Sequence, residues 1–138
     1  MSKVRILLAD DHPLLLNAVV HRLKPDFEIV DSVADGRSLF ESAMKLQPDI
    51  IVSGISMPIL NGIEAAAKLK ASGCRSKIVF LTVQSDAAFV RACLGAGALG
   101  YVLKSHLHTD LVLAIREALE ERIFISPPLK DQARSASD

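Results

Sequence analysis

Short apolar runs and helical stretches alternate along this chain, and that alternation restricts the fold more than any other feature of the sequence. The runs at residues 4–9, 28–34, 50–53, 77–82 and 101–103 read as strands, and the nearly continuous apolar run at 4–9 reads as a central strand covered on both faces. Each is followed by a stretch long enough for a helix, with apolar residues at helical spacing. Strands separated by connections of that length pair in parallel, because a parallel pair needs a crossover and a hairpin does not. Five strands and five helices in alternation therefore predict a doubly wound α/β domain, a parallel sheet with helices on both faces.

Local signals place the helix ends. Pro13 suits the first turn of helix one, where its missing N–H costs nothing, and Leu14, Leu15, Ala18, Val19 and Leu23 follow on one stripe. Asp35 is expected to cap helix two, which Pro48 stops. Asn61 and Glu64 have the spacing of a capping box for helix three, and Gly73 marks its end. Ser85 or Asp86 is expected to start helix four, with Ala88, Phe89, Ala92 and Cys93 inward. Helix five begins at His108 or Thr109 and buries Leu111, Ile115, Ala118 and Leu119. From Ser126 onward the periodicity is lost and Pro and Ser accumulate, so residues 1–125 are expected to form the domain and 126–138 a linker or tail.

Composition narrows the function classes. Sixteen acidic and sixteen basic side chains cancel, so no field of one sign draws nucleic acid or an anionic membrane. Cys74 and Cys93 have neither disulfide nor zinc spacing and are expected as free thiols. The first apolar run is cut after six residues by Asp10 and Asp11, too early for a signal peptide or a membrane span, and a cytoplasmic location follows. Gly95 to Gly100 spell G-x-G-x-x-G, but this copy ends a helix and enters a strand. A dinucleotide fingerprint needs the reverse, so that helical N–H groups face the pyrophosphate.

The polar residues at strand ends carry the functional signal. Asp10 and Asp11 follow strand one, Gly54 follows strand three, Thr82 ends strand four and Lys104 ends strand five, so all gather at one edge of a parallel sheet, where ligands of such folds bind. Adjacent carboxylates suggest a hard cation such as Mg²⁺, or two solvated turn residues that Lys104 neutralises. His106 and His108 lack a carboxylate at metal spacing and are expected in a solvated loop. Tyr101, taken alone, is a half-buried aromatic.

Asp-Asp after strand one, Ser-Met-Pro-Ile-Leu-Asn-Gly after strand three, Thr82, and Gly-Ala-Leu-Gly-Tyr-Val-Leu-Lys at strand five together resemble the receiver domain of bacterial two-component response regulators. The resemblance covers about residues 3–125. It is nearest to receivers that precede a LuxR-type helix-turn-helix output domain, through ADDHPL, GALGYVLKS and IFISPPL. It implies a flavodoxin-like (CheY-like) sheet in the order 2-1-3-4-5. It also implies roles: Asp10 and Asp11 for Mg²⁺ with the Ser56 backbone carbonyl, Thr82 and Lys104 for a phosphoryl group, and Tyr101 as an aromatic switch.

The phosphoacceptor aspartate of that pattern falls on Gly54, which has no side chain to attack with and offers the metal one carboxylate fewer. The expectation is a non-enzymatic, atypical receiver, unphosphorylated at the usual position and binding Mg²⁺ weakly. It would act through a protein partner or a homodimer on the surface of helix four, strand five and helix five (residues 87–94 and 110–122), and touch DNA only through an output domain beyond this sequence. Two alternatives stand beside it. One is a receiver phosphorylated or liganded unconventionally. The other is a small phosphotransfer or hydrolytic enzyme using Asp10 or Asp11.

Overall fold

The computed structural model describes residues 3–83 and 87–127. Six parallel strands lie in the order β2-β1-β3-β4-β5-β6: β1 (Arg5–Ala9), β2 (Glu28–Val33), β3 (Ile50–Ser53), β4 (Lys77–Thr82), β5 (Gly100–Leu103) and β6 (Phe124–Ile125). Between them run α1 (Pro13–Leu23), α2 (Gly36–Leu46), α3 (Gly62–Ala71), α4 (Ala87–Gly95) and α5 (Leu107–Leu119), the last entered through a single 3-10 turn, Lys104–His106. The sheet alternates its side chains between two cores. Leu7, Ile51 and Phe80 pack with α2, α3 and α4 on one face, and Ile6, Leu8, Val52 and Leu81 pack with α1 and α5 on the other. Burial on both faces is why these strands read as unbroken apolar runs.

The end signals act as expected where they are described. Asp35 accepts the Ser38 N–H at 2.7 Å, and that hydrogen bond holds its carboxyl below the usual range. Asn61 and Glu64 complete a capping box. The expected start of α4 at Ser85 or Asp86 lies outside the described residues, as does the tail from residue 128. No described helix is long and apolar enough to cross a membrane. Cys74 and Cys93 are free, and burial pushes the Cys93 thiol up to about 12, so it stays protonated and inert near neutral pH.

Three local expectations are corrected. The inward stripe of α4 is Val90 and Cys93 with Phe89 half-buried, while Ala88 and Ala92 face out. Tyr101 is fully buried rather than half-buried. Helix five begins earlier, at Leu107.

The sheet also gains a sixth strand. After α5 the chain turns back beside β5, with Gly100 opposite Phe124 and Tyr101 opposite Ile125. Ser126, where the tail was expected to begin, is fully buried. Its N–H bonds the Tyr101 carbonyl at 2.9 Å, and its hydroxyl accepts the Leu103 N–H at 3.0 Å and donates to Asp110 at 2.9 Å. Asp110 also accepts from Thr109. A buried carboxylate is tolerated here because hydroxyls on both sides satisfy it. The chain is thereby pinned to the sheet one residue from Lys104.

Candidate functional site

All five strands of the expected sheet run the same way, so their carboxyl ends share one edge. Asp10, Gly54, Thr82 and Lys104 stand there directly after or at the ends of β1, β3, β4 and β5. Asp10 and Thr82 are buried, and the Asp11 side chain is about one-third exposed (34%). Lys104 reaches across the ends of β4 and β3 to Asp10, its Nζ 3.1 Å from Oδ2, with the lysine side chain 18% exposed and that of Asp10 5%. Oδ2 has no aligned hydrogen bond among the described residues, so the contact is one of charge at close range. The other oxygen, Oδ1, accepts the His12 N–H at 3.0 Å and lies 2.9 Å from His12 Nδ1. His12 Nδ1 is also 3.0 Å from Asp11 Oδ1, so the ring sits between the two carboxylates.

Gly54 is placed by backbone on both sides. Its N–H bonds the Ala9 carbonyl at 2.8 Å, extending the β1–β3 ladder by one step, and its carbonyl accepts the Ser53 hydroxyl at 2.7 Å. A Cβ on Gly62 would run into that same carbonyl, which is why glycine opens α3. A Cβ on Gly54 would point into the acidic pocket and meet Asp10 Oδ2 at 2.6 Å. Space for its side chain is taken by the Asp10 carboxylate. Tyr101 is wholly inside, and Ser56 is exposed in the loop after β3.

Two features of the site were not read from the sequence. His12 bonds both aspartates, and its place beside them in Asp10-Asp11-His12-Pro13 was the available signal. Ile59 has φ 71° in the loop after β3, where the Leu60 N–H closes on the Pro58 carbonyl at 2.7 Å. That is a tight three-residue turn in its strained sense, at a β-branched residue 77% exposed. Left-handed strain of this kind costs roughly 1–3 kcal/mol, whereas a glycine adds about 0.5–1 kcal/mol of backbone entropy to folding. Ile59→Gly is expected to stabilise the protein by about 1 kcal/mol, read as a higher urea midpoint at unchanged slope.

The site is thus the carboxyl edge of a doubly wound parallel sheet, with two aspartates after β1, a hydroxyl at the end of β4 and a lysine after β5. Residues 6–116 match the response regulator receiver domain family, and the chain belongs to it. It is 34% identical over 126 residues to the nitrate/nitrite response regulator protein NarL of Escherichia coli K12, covering 90% of this chain and 58% of that protein. It is 32% identical over 128 residues to the transcriptional regulatory protein DegU of Brevibacillus brevis, covering 91% and 54%. A LuxR-family two-component response regulator from Aurantimonas sp. SI85-9A1 superposes with a TM-score of 0.91 at 30% identity, covering 99% of both chains. The chain spans about half to two-thirds of the length of such curated relatives. Of these, DegU is named as a transcriptional regulatory protein and NarL as a response regulator protein.

Receiver domains typically hold Mg²⁺ at this acidic pocket. Donor atoms of Asp10, Asp11 and His12 do lie within 4.8 Å of one another. They are engaged with each other and with Lys104, however, and no carboxylate comes from β3. An ion that prefers octahedral oxygen ligation finds here two carboxylates, one of them already paired with Lys104, and so a poor site.

Proposed function

We propose that this chain is an atypical receiver module of two-component signal transduction that takes up no phosphoryl group at the usual position and acts by contact. One observation carries the proposal: the place of the missing nucleophile faces the pocket, and a neighbouring carboxylate fills it. The remaining polar groups keep structural work. Lys104 neutralises Asp10, Thr82 is a buried hydroxyl at the end of β4, and Tyr101 is already inward. Mg²⁺ binds weakly at most, through Asp11, the Ser56 carbonyl and whatever share of Asp10 it can win from Lys104. The decisive test is incubation with a small phosphodonor: the mass of the protein is expected to stay unchanged, and a labile phosphoryl group gained by the wild type would end the proposal.

An enzyme using Asp10 as nucleophile is disfavoured, because both oxygens of that carboxylate face cationic or N–H groups and a 3.1 Å ion pair lowers its reactivity toward phosphorus. Relatives named as transcription regulators support a longer protein with a DNA-binding output domain, acting in the cytoplasm.

Contact is proposed at the surface of α4, β5 and α5, as a homodimer. Leu113 is 52% exposed on α5, an apolar side chain left for a partner to cover. Val112 is half-buried and would report on folding as well as association, so Leu113→Glu is the cleaner variant. In sedimentation at high micromolar concentration the wild type is expected to weigh as a dimer and Leu113→Glu as a monomer. A wild-type monomer removes the homodimer and leaves a heterologous partner.

A further inference from the structure

We infer that Asp10 is a built-in substitute for the carboxylate missing from position 54: it occupies that side chain's space and holds Lys104 permanently, so the pocket is closed without phosphate or metal. The inference rests on the receiver reading of the site, though not on the fate of any phosphodonor. Its basis is steric and electrostatic. Asp10 Oδ2 lies 2.6 Å from where a Cβ on residue 54 would stand, closer than real Cβ contacts come, so this placement of Asp10 exists only because residue 54 is glycine. The same oxygen is the one that meets Lys104, at 3.1 Å. His12 fixes the opposite oxygen through its N–H, which sets the rotation of the carboxylate.

The outcome is a carboxylate–lysine pair donated by β1 and β5, spanning the ends of the two strands between them. A buried pair of this kind is costly to break, because either partner left alone is a poorly solvated charge. The clamp therefore holds the loops after β1 and β5 together in one arrangement. Lys104 is the first residue of the 3-10 turn into α5, and Leu103 beside it is bonded to Ser126, so the fixed lysine also fixes where the chain leaves the sheet.

Gly54→Ala tests this with a sign. Gly54 lies outside the left-handed region, and at such positions alanine ordinarily stabilises by restricting the unfolded chain. Here it is expected to lower the melting temperature by several degrees, because the methyl group displaces Asp10 from Lys104. Lys104 should then react several-fold faster with acetic anhydride, measured by peptide mass spectrometry. Asp10→Ser alone should also lower the melting temperature and expose Lys104 to acetylation. In the Gly54→Ala background the same change should cost little, since the clamp is already open and the shorter side chain makes room.

A melting temperature raised by Gly54→Ala, or unchanged Lys104 reactivity in Asp10→Ser, overturns the inference. If Gly54→Ala does not fold, the double variant decides: recovery supports displacement of Asp10, and continued failure places the clash in the backbone and overturns it. Phosphorylation of the wild type would remove the proposed function while leaving this cycle to be judged by its own signs.

Discussion

Incubated with acetyl phosphate and Mg²⁺, the protein is expected to keep its unmodified mass, and Gly54→Asp is expected to gain one phosphoryl group that hydroxylamine removes. In the variant a carboxylate oxygen attacks phosphorus, an Asp–O–P bond forms, and the bond to acetate breaks, releasing acetate. The wild type has no atom to make that attack at position 54. Its nearest alternatives are poorly placed. The Ser53 hydroxyl is buried and donates to the Gly54 carbonyl, and the Asp10 carboxylate lies against Lys104 and His12. Gly54→Asp needs Asp10 to turn aside, which is feasible because the atom in the way is the end of a side chain rather than backbone. Intact-mass spectrometry separates the outcomes as none against near-stoichiometric. A labile phosphoryl group on the wild-type protein would end the proposal of an unphosphorylated receiver. Peptide mapping would then show which residue had stood in for the missing aspartate.

Mg²⁺ is expected to bind Gly54→Asp at least about tenfold more tightly than the wild type, a difference of about 1.4 kcal/mol. Two contributions add. A third carboxylate supplies an oxygen ligand, and three carboxylates in one pocket repel until a divalent ion joins them. In the wild type the ion must also displace the Lys104 ammonium from Asp10, a competitor already in contact. Titration calorimetry at matched ionic strength measures both proteins, and the wild-type heat should be small. Equal affinities would mean that a side chain at position 54 does not reach the ion, contrary to the direction of its Cβ toward Asp10.

Much of this was legible in the residues themselves. Strands β3 and β4 begin and end where β-branched runs meet Pro-Asp or a terminal Thr, and the Asn61–Glu64 capping box forms as its spacing implies. These features depend on neighbours along the chain, within the range of one turn or one strand. The common edge of Asp10, Gly54, Thr82 and Lys104 was legible for a different reason: parallel strands joined by crossovers all end on the same side.

Helix α4 marks the limit of such reasoning. Alanines fit either face of a short helix, and only packing against the sheet turned Val90 and Cys93 inward and left Ala88 and Ala92 outside. The two-residue β6 is too short to carry a period. Its anchor, Ser126 on Asp110, joins polar residues from different elements whose spacing carries no local signal.

The alternation of apolar runs determined the class of fold, because it follows from local chemistry, and the sequence by itself shows that position 54 carries no side chain. What replaces that side chain was decided only in three dimensions. Asp10 and Lys104 lie far apart in the sequence, and the strand order sets them at the same edge with β3 and β4 between them. The absence of one Cβ then leaves a space that the Asp10 carboxylate enters, and the pull of a half-buried ammonium holds it there.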